Sequence, residues 1–221
     1  VYPVCLQLTD KLCVVVGGGG VAERKVKEVL SQHGRVRLIS PEVTPFLQQL
    51  VDDALIEWFP RGYSKSDLAG AFLVFAATSN RSVQDKVVED AREENLLVNV
   101  ADQPEACDFH VPASIHRGEL TIAISTNGKS PAMAAMVRKR LEQQIGEEFG
   151  VLVELIAEIR KQVLAGTANQ KDKRILFQKI LDDDILGWIE QGQWDKVEAH
   201  IQKVLGPSIV IDWMRIQESR S

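Results

Sequence analysis

Cysteine is scarce in this chain of 221 residues. Cys5, Cys13 and Cys107 make an odd number, and no two of them form a C-x-x-C pair. This argues against a disulfide framework and fits a reducing cytoplasm. Nor is there a Cys/His cluster with zinc-ligand spacing. No apolar run approaches the ~20 residues that a membrane-spanning helix needs, and no signal peptide is legible, so a soluble cytoplasmic protein with no membrane association is expected. Basic charge is in deficit: 26 Lys and Arg stand against 31 Asp and Glu, a net charge of -5. General nucleic-acid binding wants a basic face and is disfavoured, although a local basic pocket for an anion is not excluded. The only tyrosines are Tyr2 and Tyr63, and no Tyr-x-x-x-Lys pair exists, which argues against a short-chain dehydrogenase. A Walker lysine–serine loop, a G-x-S-x-G elbow, internal repeats and low-complexity segments are also missing.

What is present begins at Lys11. The apolar, β-branched run to Val16 reads as a buried strand. It leads into Gly17–Gly20 and then a helix-forming stretch from Val21. Gly17-x-Gly19-x-x-Ala22 fits the G-x-G-x-x-G/A dinucleotide fingerprint in the strand–turn–helix context that the fingerprint requires. Gly17 permits the tight turn, Gly19 lets a pyrophosphate approach the backbone, and Ala22 allows close packing of helix on strand. The N–H groups of Gly20, Val21 and their neighbours would then face the phosphates. The bland alternative is a tight turn that binds nothing.

Strands and helices alternate from here. Val36–Ile39, Leu55–Phe59, Phe72–Ala77 and Leu97–Val100 read as strands, the last two as buried ones. Helices are expected from Val21 to about His33, from Thr44, and from Arg81 to Asn95. The pattern predicts an α/β fold, a Rossmann-like parallel sheet over residues 1–112. Ligands of such sheets bind beyond the carboxyl ends of the strands, here Gly17–Gly20, Ser40–Val43, Thr78–Asn80 and Ala101–Gln103. Pro41, Glu42, Val43 and Thr78 are therefore candidate cofactor contacts. Glu42 lies ~20 residues past the glycines, where a ribose-binding acid is expected, and no arginine follows it directly, which favours NAD over NADP modestly.

The periodicity then changes. Ala113–Arg117 and Leu120–Ser125 read as a hairpin, followed by a helix from Pro131 to about Gln144. From Glu147 the chain reads as all helix: Val151–Leu164, Ile175–Leu181 and Trp194–Leu205, with a polar linker at Gly166–Lys173. The stretch after Pro207 reads as a tail without a clear partner. The expected organisation is 1–112, 113–145, a helical region 146–206, and a tail 207–221.

Asp102 follows the last strand at the cofactor edge. A carboxylate there can act as a base once partly desolvated; the alternative is a solvated turn, since Asp-x-Pro is good turn chemistry. Ser125–Pro131 is a second glycine-containing loop before a helix. Thr126, Lys129, Ser130 and the helix N-terminus can hold an anion, or Ser130 and Pro131 simply cap the helix. Arg138 belongs to a basic cluster on that helix. His110 and His116 are separated by a spacing that fits no metal pair, and each is better read as structural.

Taken together, Tyr2–Leu8, Val16–Lys25, Ala76–Thr78, Asn99–Asp102, Phe109–Pro112 and Ile124–Pro131 resemble the precorrin-2 dehydrogenase/sirohydrochlorin ferrochelatase family, proteins that occur alone or as the N-terminal module of sirohaem synthases. The match runs in order over roughly residues 1 to 145. The resemblance implies NAD-dependent oxidation of precorrin-2 to sirohydrochlorin, with Asp102 as general base. It also implies a polycarboxylate tetrapyrrole substrate, for which Arg117, Lys129 and Arg138 are candidate contacts, and a homodimer formed through about 113–145. Some members also insert Fe²⁺ through the same pocket, which would bring a transient metal near Asp102 and His110. Thr126 stands where some relatives carry a phosphorylatable serine. The competing reading is a non-catalytic NAD(H)-sensing module, which needs neither a base beside the nicotinamide nor an anion loop.

Overall fold

The computed structural model describes residues 1–165, 170–181, 184–207 and 209–218. They divide into two compact units, Val1–Val111 and Pro112–Ser221.

The first unit is a five-stranded sheet in the order β3-β2-β1-β4-β5, with every pair parallel. Its strands are β1 (Leu12–Val16), β2 (Arg35–Ile39), β3 (Glu57–Phe59), β4 (Leu73–Ala76) and β5 (Leu97–Val100). Helices α1 (Gly20–Ser31), α2 (Pro45–Asp52) and α3 (Arg81–Glu93) connect them, and a 3₁₀ turn at Lys65–Leu68 replaces a helix between β3 and β4. β1 is central, which explains its lack of polar alternation. Cys13 and Val15 face a core shared with Ala22, Val26 and Val29 of α1 and with Leu47 and Leu50 of α2. Val14 and Val16 face the opposite core, with Val87, Val88 and Ala91 of α3. Burial pushes the Cys13 thiol up to about 11, so it behaves as a small apolar side chain.

Three helices end alike. His33, Ala54 and Asn95 each adopt a left-handed φ of 56–57° just past α1, α2 and α3. The amides three residues past each helix, those of Gly34, Leu55 and Leu96, reach back to the Val29, Leu50 and Ala91 carbonyls, closing Schellman turns. After α2 this turn occupies Leu55, so β3 starts at Glu57 rather than at Leu55 as expected. β5 is an edge strand, and Leu97 is exposed rather than buried. Its outer edge is closed by Asp108 and Cys107: Val98 N–H donates to the Asp108 carboxylate at 3.0 Å and Val100 N–H to the Cys107 sulfur at 3.1 Å.

The second unit opens with an antiparallel hairpin, β6 (Ala113–Arg117) and β7 (Leu120–Ile124), and α4 (Pro131–Glu142) packs on it. Then come α5 (Glu148–Ala165), α6 (Gln170–Leu181), α7 (Ile185–Glu190), α8 (Trp194–Leu205) and α9 (Trp213–Glu218). They enclose a core that includes Leu155, Ile159, Ile180, Ile189 and Ile201. Gly150 lets α5 approach the hairpin: a Cβ there would lie 2.6 Å from the Arg117 carbonyl oxygen. Two expectations change. Residues 170–173 of the supposed linker are the first turn of α6, and 166–169 lie outside the described residues. The segment read as a partnerless tail carries α9, whose Ile216 is fully buried, while Gln162 on α5 donates to the Val210 carbonyl and accepts the Val210 N–H.

Candidate functional site

The strand order reverses between β1 and β4, and the loops that follow these strands diverge around a cleft. The cleft has a volume of about 580 Å³ and is lined by Gly17–Val21, Ser40–Thr44, Ala77–Ser79, Ala101 and Asp102. The loops after β1, β2, β4 and β5 thus meet in one place. Gly17, Gly19, Gly20, Val21, Pro41, Glu42, Val43, Thr78 and Asp102 all lie on this wall.

The four glycines do different work. Gly17 has φ +124°, and a Cβ there would sit 2.4 Å from the Ala77 carbonyl oxygen. A Cβ on Gly18 would sit 1.9 Å from the Glu42 carbonyl oxygen, because the loop after β2 presses against it and Thr44 N–H donates to the Gly18 carbonyl at 3.0 Å. Around Gly19 and Gly20 nothing lies within 4 Å of the Cβ position. These two therefore leave room for a ligand, whereas Gly17 and Gly18 close the fold. The G-x-G spacing gives no hint of this division, and the role of Gly18 was missed. Ala22 does not line the cleft. It is completely buried in the α1 core, where its small size matters for packing.

Gly19 is the N-cap of α1 and supplies no side-chain acceptor, so the first amides of that helix remain available to an anion. An anionic diphosphate fits this combination of open glycines and uncapped amides. Near the same end, Thr44 Oγ1–H donates to Glu23 at 2.9 Å and Lys27 donates to its other oxygen at 2.7 Å. Those bonds, Lys27 first, hold the Glu23 carboxyl below the usual range. Ser40 Oγ–H donates to the Glu42 carbonyl at 2.6 Å and stiffens the β2 turn.

Asp102 has φ +60° and is exposed on the rim, so the chain's own residues do not supply the partial desolvation that would tune it as a base. It follows an edge strand, so only one side of its turn is backed by the sheet. Asn99, of the same motif, turns away from the cleft and donates to the Phe109 carbonyl at 2.9 Å. His110 is half-buried and does not line the cleft. Among the described residues, no group of three or more His, Cys, Asp or Glu side chains is placed to hold a metal ion.

The remaining candidates lie in the second unit. Thr126 Oγ1 accepts the Ser130 N–H at 3.0 Å, and Ser130 caps α4 by accepting the Met133 N–H at 3.2 Å. Both hydroxyl oxygens therefore already serve the loop. The Arg117 guanidinium is largely committed: Nε donates to the Ile145 carbonyl at 2.9 Å and pairs with Glu147 at 3.2 Å, and Nη1 donates to the His116 carbonyl. This locking of β6 to the start of α5 makes Arg117 a poorer substrate contact than expected. Arg138 pairs with Glu142 one turn on, and Lys129 is exposed. His116 bridges Ser114 and Thr121 on the hairpin, a structural role.

Comparison with known proteins fits this geometry. Residues 4–113 match the family described as "Putative NAD(P)-binding", and residues 117–144 match "Sirohaem biosynthesis protein central". The siroheme synthase of Thioalkalivibrio sulfidiphilus is 35% identical over 204 residues, covering 92% of this chain and 42% of that protein. Along almost its whole length the chain is therefore similar to proteins of sirohaem biosynthesis. The siroheme synthase of Methylobacillus flagellatus is 34% identical, with 92% and 44% covered. The chain thus spans less than half the length of these relatives. The solved structure of "SirC, precorrin-2 dehydrogenase" shares the fold, with a TM-score of 0.77 at 24% identity over 92% of this chain and 98% of that one. No helix among the described residues is long and apolar enough to cross a membrane.

Proposed function

We propose that the protein is an NAD-dependent dehydrogenase that converts precorrin-2 to sirohydrochlorin. One observation carries the reading: open glycines, an uncapped helix N-terminus and a carboxylate converge on a single cleft at the switch point of the sheet. A sensor needs the first two but not the third.

Bound NAD⁺ supplies a hydride acceptor. The chain's own residues do the rest. The first-turn amides of α1 hold the diphosphate, and Gly19 and Gly20 let it approach. Glu42 is offered for the ribose hydroxyls, which favours NAD over its 2′-phosphorylated form. Removing two hydrogens from the substrate releases a proton along with the hydride. A carboxylate oxygen of Asp102 takes that proton, so that positive charge does not build up on the tetrapyrrole. Lys129 and Arg138 are proposed to meet the substrate carboxylates, and a homodimer is the proposed assembly. Met133 and Met136 on α4 are exposed apolar side chains, which supports a covered surface there.

The test is anaerobic incubation with precorrin-2 and NAD⁺, following NADH and sirohydrochlorin by absorbance. Asp102→Ala is expected to lose about 10²–10⁴ in kcat with NAD⁺ affinity unchanged. Turnover equal to wild type would remove Asp102 from the role. Tight NAD⁺ binding without any wild-type turnover would leave the sensor. Adding Fe²⁺ to the product then tests chelation, with iron as substrate.

A further inference from the structure

On the reading that Asp102 is the base, we propose that Gln84 and Gln103 form a buried amide clamp that positions it. The apolar stripe of α3 runs Val87, Val88 and Ala91. Residue 84 continues that stripe one turn earlier, yet it is a glutamine, only 6% exposed. Gln103, one residue past Asp102, is 3% exposed. Burying a primary amide is unfavourable unless its donors and acceptor are met, so two of them together point to a specific arrangement.

For Gln84 that arrangement is complete. Gln84 Nε2 donates to the Thr78 carbonyl at 2.6 Å and to the Ala101 carbonyl at 3.3 Å. Its Oε1 accepts from Gln103 Nε2. The two carbonyls can only accept, which fixes which end of the Gln84 amide faces them. One side chain therefore ties the loop after β4 to the loop after β5. It also grips the latter on both sides of Asp102, at the preceding carbonyl and at the following side chain. Asp102 itself sits at φ +60°, a conformation that a non-glycine residue keeps only where its surroundings determine it. Among the described residues, the Gln84 side chain alone hydrogen-bonds to both neighbours of Asp102. Gln84 and Gln103 are positioning residues: neither lines the cleft.

The test uses Gln103→Met, which keeps length and removes only the Asp102 side of the clamp, and Gln84→Met/Gln103→Met, which leaves no glutamine amide unpaired. The clamp requires faster amide exchange in the segment 98–106 in both variants. It requires kcat for dehydrogenation about tenfold lower or more, with KM for NAD⁺ unchanged in Gln103→Met. In an Asp102→Ala background the Gln103→Met loss disappears, because there is no base left to misplace. Unchanged exchange in 98–106 would overturn the clamp whatever the activity. Faster exchange with unchanged kcat, or a loss that persists undiminished without Asp102, would overturn its catalytic role and leave a merely structural pair. Wild-type turnover in Asp102→Ala would overturn the premise, and the exchange result separates that failure from failure of the clamp.

Discussion

Adding one methyl group at Gly18 and one at Gly19 should have opposite effects. At Gly18 the new Cβ lies 1.9 Å from the Glu42 carbonyl oxygen and 2.7 Å from Ser40 Oγ. The backbone of the β2 turn must retreat by about 1.5 Å to restore ordinary contact, and it carries the N-cap of α2 with it. Overpacking of this kind costs about 1–3 kcal/mol. Losing the Thr44 N–H bond to the Gly18 carbonyl adds about 1 kcal/mol. The sum, about 2–4 kcal/mol, lowers the melting temperature of the first unit by roughly 5–15 °C. Gly19→Ala meets nothing within 4 Å and keeps an ordinary φ of -91°, so only the modest preference for glycine over alanine at an N-cap is lost, under about 1 kcal/mol. Its methyl instead occupies the approach of the diphosphate, and NAD⁺ affinity falls by about tenfold or more, a loss of about 1.4 kcal/mol. Thermal unfolding by circular dichroism and NAD⁺ titration calorimetry separate the two. A Gly18→Ala protein that melts with the wild type, or a Gly19→Ala protein that binds NAD⁺ at full affinity, would refute the division of labour.

Two further outcomes concern stability. The hydrogen-bonded Arg61 guanidinium, against the opposing effect of burial, holds the Asp67 carboxyl below the usual carboxylate range. A depressed folded value gives stability that is full above the unfolded value near 4 and is lost as pH falls through the folded one. The urea midpoint should therefore drop below about pH 4, and Asp67→Asn should flatten that drop; parallel pH profiles would rule the pair out as a cause. Ala54 is a non-glycine residue at φ 56° with no function at the cleft. Ala54→Gly should raise the urea midpoint by the equivalent of about 0.5–1 kcal/mol at constant slope, because relief of left-handed strain exceeds the added freedom of the unfolded chain; a lower midpoint would contradict this.

The sheet was legible because its central strands obey simple rules. Leu12–Val16 and Leu73–Ala76 carry no polar residue, since helices cover both faces. The gathering of loop ends at the cleft followed from the alternation of strands and helices alone. Other features had no periodic signal. Six residues are too few for the helical period to show in α7 or α9, whose order comes from packing of Ile185, Ile189 and Ile216. The contrast between Gly18 and Gly19 depends on a loop from elsewhere in the chain. Gln84 and Gln103 are single amides whose burial no local pattern announces. The anchoring of Arg117 had no local signal either, because its partners, the Ile145 carbonyl and Glu147, are about thirty residues away.

The placement of β1 at the middle of the sheet has a consequence for synthesis. On one side it pairs with β2, about twenty residues later, but its other edge waits for β4: Cys13 aligns with Leu73, sixty residues downstream. At about 5–20 residues per second, a ribosome needs roughly 3–12 s to make that stretch. Throughout this interval the most apolar strand of the nascent chain keeps an unsatisfied edge, able to join any similar strand it meets. Chain growth itself therefore sets a window of aggregation risk, which closes only when Phe72–Ala76 emerges and completes the centre of the sheet.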